Sequence, residues 1–299
     1  MKKFLLFTGG LAVLVLIFSL VVFFNEREEK PRKTTENIVA VSPVPTELVP
    51  EHTEMPEETP SEAEREIKAL MDDAFSGVSG TCHWGVYTFG DVMYCRNDTA
   101  SVPSASVIKL FIMEYVFDRM NVGELEYDST IAGTRVKTLL ENMITVSDNS
   151  ATNAFIDYFG MDTLNAYFTA EGYADTRLER RMLDYDAMAA GKENYTSVWD
   201  VTQFLKKVYN NQSEWTCADM LGILKRQQVK TKIPRKLPGG VTVAHKTGEL
   251  STVENDVGII FTEKMDFAVV FLCSDLSSTN GAREAISSAS RELYDYLTK

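Results

Sequence analysis

The chain has 299 residues, of which 44% are hydrophobic, and its formal net charge is −13. That length supports one sizeable core or two modest lobes. The acidic balance excludes nucleic acid as a partner, because phosphate binding needs clustered Lys and Arg.

Residues 1–25 are predicted to form a signal anchor, a transmembrane helix. Phe4 to Phe24 carry no charge and are long enough to cross a bilayer. Lys2 and Lys3 place the N-terminus in the cytoplasm, although Arg27, Lys30, Arg32 and Lys33 beyond the span weigh against that orientation. The run ends Leu20-Val21-Val22-Phe23-Phe24, without the small residues of a cleavage site, and no cysteine near it can take a lipid. The expected topology is single-pass, with the remainder outside the membrane.

Residues 26–60 read as a linker. Pro43, Pro45, Pro50, Pro56 and Pro60 alternate with Thr and Glu, and aromatic residues are absent from 34 onward. Such a stretch buries too little apolar surface to order itself, and its prolines make it a semi-stiff spacer. Glu36, Glu47, Glu51, Glu54, Glu57 and Glu58 lie in it without an intervening Lys or Arg, so part of the acidity belongs to this tail.

The folded domain is expected over 61–299. Ser61-Glu62-Ala63-Glu64 opens a helix running to about Ala74. Two strand-like runs, Trp84 to Phe89 and Val92 to Cys95, flank Gly90-Asp91 and read as a hairpin. A helix follows, opened by Ser106 and striped by Leu110, Phe111, Met113, Val116 and Phe117. From Val136 to Lys225 the spacing is helical, with stripes at Leu139/Leu140/Met143/Ile144, Phe155/Ile156/Phe159 and Val201/Phe204/Leu205/Val208. It is interrupted at Ser147–Ser150 and from Thr176 to Thr196. After Gly239-Gly240 the period changes. Val241 to Lys246, Val257 to Thr262 and Phe267 to Cys273 read as consecutive antiparallel strands, and a last helix spans about Gly281 to Leu297. The fold class is α/β of the α+β kind. An antiparallel sheet is built from both chain ends, flanked by the N- and C-terminal helices, and stands beside an all-helical lobe. A cleft between two lobes favours a small-molecule site.

The four cysteines, Cys82, Cys95, Cys217 and Cys273, fit no zinc spacing. They allow three full pairings, or independent buried thiols, and the sequence leaves these open. The histidines do not assemble a Ser-His-Asp set. His52 is in the linker, His245 points to the sheet face opposite Lys246, and His83 lies near a strand start. All three read as packing or surface residues. No metal or organic cofactor is implied.

Three short motifs carry the chemistry: Ser106-Val107-Ile108-Lys109, Ser147-Asp148-Asn149 and Lys246-Thr247-Gly248. The first is unique in the chain and sets a hydroxyl beside an amine on one helix face, and a serine needs an adjacent base to become a nucleophile. The second falls in a break between helices, and the third ends a predicted strand. Together, in that order, they resemble the penicillin-interacting serine hydrolases, and class A β-lactamases most closely, over roughly Ser61 to Lys299. The resemblance implies the β-lactamase/transpeptidase fold and a bacterial cell-envelope location.

The resemblance also implies roles. Ser106 attacks a lactam or peptide carbonyl. Lys109 takes its proton and must be neutral to do so, favoured by burial and by Lys246 as a nearby cation. Ser147 relays a proton to the leaving nitrogen. Asn149 holds the substrate's side-chain carbonyl and orients Lys109. Lys246 and Thr247 take the substrate carboxylate, and Gly248 lets substrate approach the strand edge. The backbone N–H groups of Ser106 and Glu249 form the oxyanion hole. Asp148 is read as structural.

The pattern breaks in two places. Class A enzymes hydrolyse their acyl-enzyme with a glutamate acting through water. Matched from Thr176-Arg177-Leu178-Glu179-Arg180-Arg181, that position here holds Met182, whose thioether cannot act as a base. Asp186 takes the place of a water-holding asparagine and is the best-placed substitute base, ahead of Glu179 and Asp184. The stretch from Ser106 to Ser147 is also shorter than usual, which trims a cleft wall.

The function expected is a membrane-anchored, extracytoplasmic serine hydrolase that is acylated on Ser106 by β-lactams and hydrolyses them slowly. The alternatives are a penicillin-binding D-Ala-D-Ala peptidase of the cell wall, or a β-lactam sensor that stays acylated. The partners are a small-molecule β-lactam or D-Ala-D-Ala peptide and, through the N-terminal helix, a membrane. A monomer is expected.

Overall fold

The computed structural model describes residues 61–299 apart from 91, 97 and 98, with backbone alone at 92, 93, 95 and 96. The predicted anchor and linker, and the Cys95 side chain, lie outside the described residues. Two units divide the chain, Met1–Glu57 and Glu58–Lys299, and every described element belongs to the second. Among the described residues no helix is long and apolar enough to cross a membrane.

The Ser61 hydroxyl caps α1 (Glu62–Ala74) by accepting the Glu64 N–H. β1 (Thr81–Thr88) and β2 (Val92–Arg96) pair antiparallel, in agreement with the hairpin expected from the sequence. β3 (Val102–Pro103) leads into a 3-10 turn, Ala105–Ile108, which continues as α2 (Lys109–Asn121). The helical lobe follows, opening with the two-residue pair β4 (Thr130–Ile131) and β5 (Thr134–Arg135). It contains α3 (Val136–Thr145), α4 (Asn149–Phe159), α5 (Met161–Ala170), α6 (Tyr185–Ala189), α7 (Val198–Asn210) and α8 (Trp215–Lys225). β6 (Tyr195–Thr196) pairs with β3. The chain then returns to the sheet through β7 (Thr242–Leu250), β8 (Val253–Phe261) and β9 (Phe267–Ser274), and closes with α9 (Thr279–Leu297).

The five-stranded sheet has the order β2-β1-β9-β8-β7, so both chain ends do build it, and β7 is an edge. Side chains alternate across its strands, giving it two buried faces. On one, Ala268, Val270 and Leu272 of β9 join Val257 and Ile259 and the core of the helical lobe. On the other, Phe267, Val269 and Phe271 pack with Trp84, Ile67 and Met71 of α1, and Ile286 and Leu293 of α9. Every residue of α2 from Lys109 to Phe117 is buried. The helix is therefore not one-sided, as its stripe suggested, but forms the centre of the helical lobe.

Several strand boundaries differ from expectation; β1 starts at Thr81, ahead of the expected Trp84. Lys246 does not end a strand; β7 runs on through Gly248 to Leu250. β8 starts at Val253, ahead of the expected Val257, because it takes in Glu254, Asn255 and Asp256. They are buried in the strand, and each has a polar partner. Cys82 and Cys273 face each other across β1 and β9 and, with Cys217, are buried free thiols. Burial, reinforced by the hydrogen bond with Cys82, pushes the Cys273 thiol well above its usual range.

Candidate active site

Ser106 sits in the 3-10 turn and Lys109 opens α2. Residues three apart eclipse in a 3-10 turn, so the two side chains share a face. The turn is held from beneath. Asn255 of β8 donates its amide to the carbonyls of Pro103 (2.9 Å) and Ser104 (3.1 Å), while its oxygen accepts the Cys273 N–H. Ala105, just before the serine, has a φ of 46°. A left-handed alanine costs on the order of 1 kcal/mol and persists only where its surroundings fix it. Gly248 of β7 is part of that fixing. A Cβ there would lie 2.9 Å from the Ser104 carbonyl oxygen and 3.1 Å from the Ser106 nitrogen. The glycine therefore serves the close packing of strand against turn, and not only an open edge awaiting substrate.

The Lys109 side chain is fully buried. Its amine donates to the Ser147 carbonyl (2.8 Å), the Ser147 hydroxyl (3.2 Å) and the Asn149 side-chain oxygen (2.8 Å). Lys246, also fully buried, donates to the same Ser147 hydroxyl at 3.0 Å and to the Thr247 carbonyl at 2.7 Å. Ser147 Oγ thus bridges the two amines. Burial lowers the Lys109 pKa to about 7, against the opposing pull of the Asp148 carboxylate. Lys246 is driven well below its usual range, first by burial and then by Lys109. Desolvation therefore depresses Lys109, as its expected burial implied, and each amine disfavours a proton on the other. The Ser106 hydroxyl forms no hydrogen bond among the described residues, so a direct bond to Lys109 is not made in this structure. Catalytic hydrogen bonds of this kind are often completed only when substrate is bound.

Ser147 occupies the break between α3 and α4 with a φ of 58°. Asp148 caps α4 by accepting the Ala151 N–H at 2.9 Å, the structural role expected of it. Asn149 is the first residue of α4 and faces Lys109.

The segment 176–196 is pinned by three asparagines. Asn165 exchanges two hydrogen bonds with the backbone of Leu178, and Asn153 two with that of Met182. Asn194 accepts the N–H groups of Glu179 and Arg180. Met182 thereby reaches the cavity that contains Ser106 and is 7% exposed. Asp186 does not reach it. It is exposed in the first turn of α6, the helix that Asp184 caps by accepting the Ala187 N–H, whereas its neighbour Tyr185 is the residue of that turn that lines the cavity. Glu179 is paired with Arg177 at 2.7 Å.

Glu249 lines the cavity and is tied at 2.7 Å to Lys232, which is fully buried and also binds Glu254 at 2.9 Å. Burial raises the Glu249 carboxyl, but the bond to Lys232 and the charges of Lys232 and Arg283 outweigh it and hold it below the usual carboxylate range. Lys232, Glu254, Asn255 and Asn153 were not singled out from the sequence. They are isolated polar residues whose partners lie far along the chain, and the unusual signal was polar residues inside an apolar strand.

The cavity measures about 360 Å³. Ser106, Asn149, Met182 and Glu249 line it, whereas Lys246 and Thr247 of β7 do not. His245 is buried and pairs with Asp256 at 2.9 Å. Among the described residues no group of His, Cys, Asp or Glu is arranged to hold a metal ion.

The model of the β-lactamase enzyme family matches residues 62–297. A β-lactamase of Bacteroides uniformis is 20% identical over 273 residues, covering 78% of this chain and 91% of that protein. The fold resembles that of a representative class A β-lactamase from Bacteroides cellulosilyticus, with a TM-score of 0.70, 21% identity, and coverage of 78% of this chain and 98% of the other. It also resembles PBP-A, with a TM-score of 0.68, 23% identity, and coverage of 78% and 96%. The residues that the family model matches take in the sheet, the helical lobe and all three motifs. The chain belongs to the β-lactamase enzyme family and is a serine β-lactamase-like hydrolase.

Proposed function

We propose that Ser106 is the nucleophile that β-lactams acylate, and that the resulting ester is hydrolysed slowly. Ser106 Oγ adds to the lactam carbonyl while neutral Lys109 takes its proton. The N–H groups of Ser106 and Glu249 hold the oxyanion. As the C–N bond breaks, the Ser147 hydroxyl gives its proton to the leaving nitrogen and is resupplied from the amines it bridges. Lys246 and Thr247 take the substrate carboxylate, whose charge restores a proton to Lys246 and so keeps Lys109 neutral. The observation that carries this reading is the single hydroxyl shared by two buried amines next to Ser106.

Hydrolysis of the ester needs an activated water. Met182 stands in the cavity and offers a thioether, a weak acceptor that is no base. Glu249, the one carboxylate lining the cavity, is committed to Lys232. A long-lived acyl-enzyme follows. Ser106→Ala is expected to lose all turnover of a chromogenic cephalosporin; a variant as active as the parent would end this assignment.

A second reading, a D-Ala-D-Ala peptidase, is favoured by β7 being a sheet edge, whose free backbone groups suit an extended peptide. Release of D-alanine from a D-Ala-D-Ala peptide would select it. We further place the domain outside the membrane, as a monomer held by the 1–25 anchor and the 26–60 spacer. Protease added to spheroplasts should digest it while a cytosolic marker survives; protection of both would refute that placement.

A further inference from the structure

Cys82 and Cys273 stand directly opposite each other in the register of β1 and β9. Both belong to the apolar layer beneath α1 and α9, together with Trp84 and Phe271. A side-chain hydrogen bond already joins the two thiols. The Cys273 N–H donates to the Asn255 side chain of β8 at 3.0 Å, so the backbone polar groups of Cys273 turn away from β1. In an antiparallel pair that orientation marks a non-hydrogen-bonded position, where facing Cα atoms are about 4.5 Å apart and side chains come closest. A disulfide bridges Cα atoms about 4.4–6.8 Å apart, so the strands already have the spacing it needs.

The other cysteines are placed differently. Cys217 belongs to the core of the helical lobe, on the opposite face of the sheet. Cys95 stands opposite Gly85, further along β1.

We infer that Cys82 and Cys273 are a redox pair that closes, in an oxidising compartment, into a cross-strand disulfide fastening the sheet under the Ser106 turn. The placement outside the membrane proposed above is one in which disulfides persist. The oxidant is a low-molecular-weight disulfide. Cys82 is 8% exposed against 0% for Cys273, whose thiol burial pushes up, so Cys82 attacks first as its thiolate. A mixed disulfide forms on Cys82 and one thiol leaves. Cys273 then gives up its proton and attacks the Cys82 sulfur. The bond to the reagent breaks, the Cys82–Cys273 bond forms and the second thiol leaves. Two cysteine thiols lose two electrons and two protons, and the reagent's disulfide gains both.

The position gives the bond two consequences. Nearly the whole folded domain lies in the loop it closes, the case in which a cross-link most restricts the unfolded chain. Cys273 is also one hydrogen bond from Asn255, whose amide holds the carbonyls of Pro103 and Ser104. The bond therefore fixes one support of the Ser106 turn.

The test refolds the full chain, in detergent, in a buffer of reduced and oxidised glutathione. Remaining thiols are alkylated and the peptides are mapped by mass spectrometry. One link, Cys82 to Cys273, is expected, and dithiothreitol reverses it. The oxidised chain is expected to melt about 5 °C or more above the reduced chain. Cys82→Ser and, separately, Cys273→Ser are expected to abolish both the link and the difference between the two melts. The parent's two melts decide the matter even where a variant fails to fold. Both thiols recovered alkylated after oxidation, a link from either to Cys95 or Cys217, or an oxidised chain that melts no higher than the reduced one would overturn the pairing. None of these readouts depends on acylation of Ser106.

Discussion

Replacing Met182 by Glu should convert a lasting acyl-enzyme into one that turns over. The Met182 backbone is fixed at both its N–H (2.8 Å) and its carbonyl (3.0 Å) by Asn153, so the substitution leaves the register of the segment unchanged. The side chain reaches the Ser106 cavity and is 7% exposed, so a carboxylate there is largely desolvated, which raises its pKa and makes it a better base. Arg180 is neutralised by Glu193 and does not hold the new carboxylate ionised. A positioned general base is worth about 10²–10⁴ in rate. The lower end is expected, because Asp186 is too exposed to help hold the water. A hundredfold faster deacylation corresponds to about 2.7 kcal/mol. Losing the buried thioether and burying a carboxylate should cost about 1–3 kcal/mol of stability, visible as a drop in melting temperature. The assay mixes each protein with a penicillin, removes excess reagent, and follows the decay of the adduct by intact mass. Normal adduct formation with an unchanged lifetime would refute the placement of residue 182 against the ester.

Acylation should also depend on pH. Lys109, with a pKa of about 7, is the base when neutral, so protonation as pH falls through 7 removes it. The acylation rate at pH 6 is expected to be roughly a tenth of that at pH 8; a flat or inverted profile over that window would contradict the role of Lys109. Gly248→Ala should push the Ser104–Ser106 turn away from β7, because the added Cβ meets a backbone carbonyl at 2.9 Å. Acylation is expected to slow at least tenfold in a protein that still melts cooperatively. Asn255→Leu removes two donors and one acceptor from a buried junction, at about 3 kcal/mol, or a melting temperature lower by roughly 10 °C. A change below 2 °C would mean that Asn255 does not support the turn.

The elements that the sequence revealed were those governed by local spacing. The hairpin around Gly90-Asp91 and the helical stripes of α3, α4 and α7 appeared at their expected places. The strands at the C-terminal end were also found, because apolar alternation survives without tertiary context. The three motifs were legible for the same reason, and the fold brings Ser106, Lys109, Ser147 and Lys246 to one site. The difficult parts depended on pairing. Glu254, Asn255 and Asp256 carry no strand signal of their own until β8 is set against β7 and β9, where Lys232, the Ser104 carbonyl and His245 meet them. Burial and a nearby cation at Lys246 were both expected to favour neutral Lys109; burial, a property of the whole fold, is the main cause of its lowered pKa. Asp186 matched its position by register, yet in the first turn of α6 it faces solvent while its neighbour Tyr185 faces the cavity.

The most direct measurement is time-resolved intact-mass spectrometry of the full chain with a penicillin, followed by peptide mapping of the adduct. One equivalent of penicilloyl ester on Ser106, forming within seconds and persisting for minutes, is the expected result. A chain that stays unmodified, or that carries the adduct on any other residue, would contradict it.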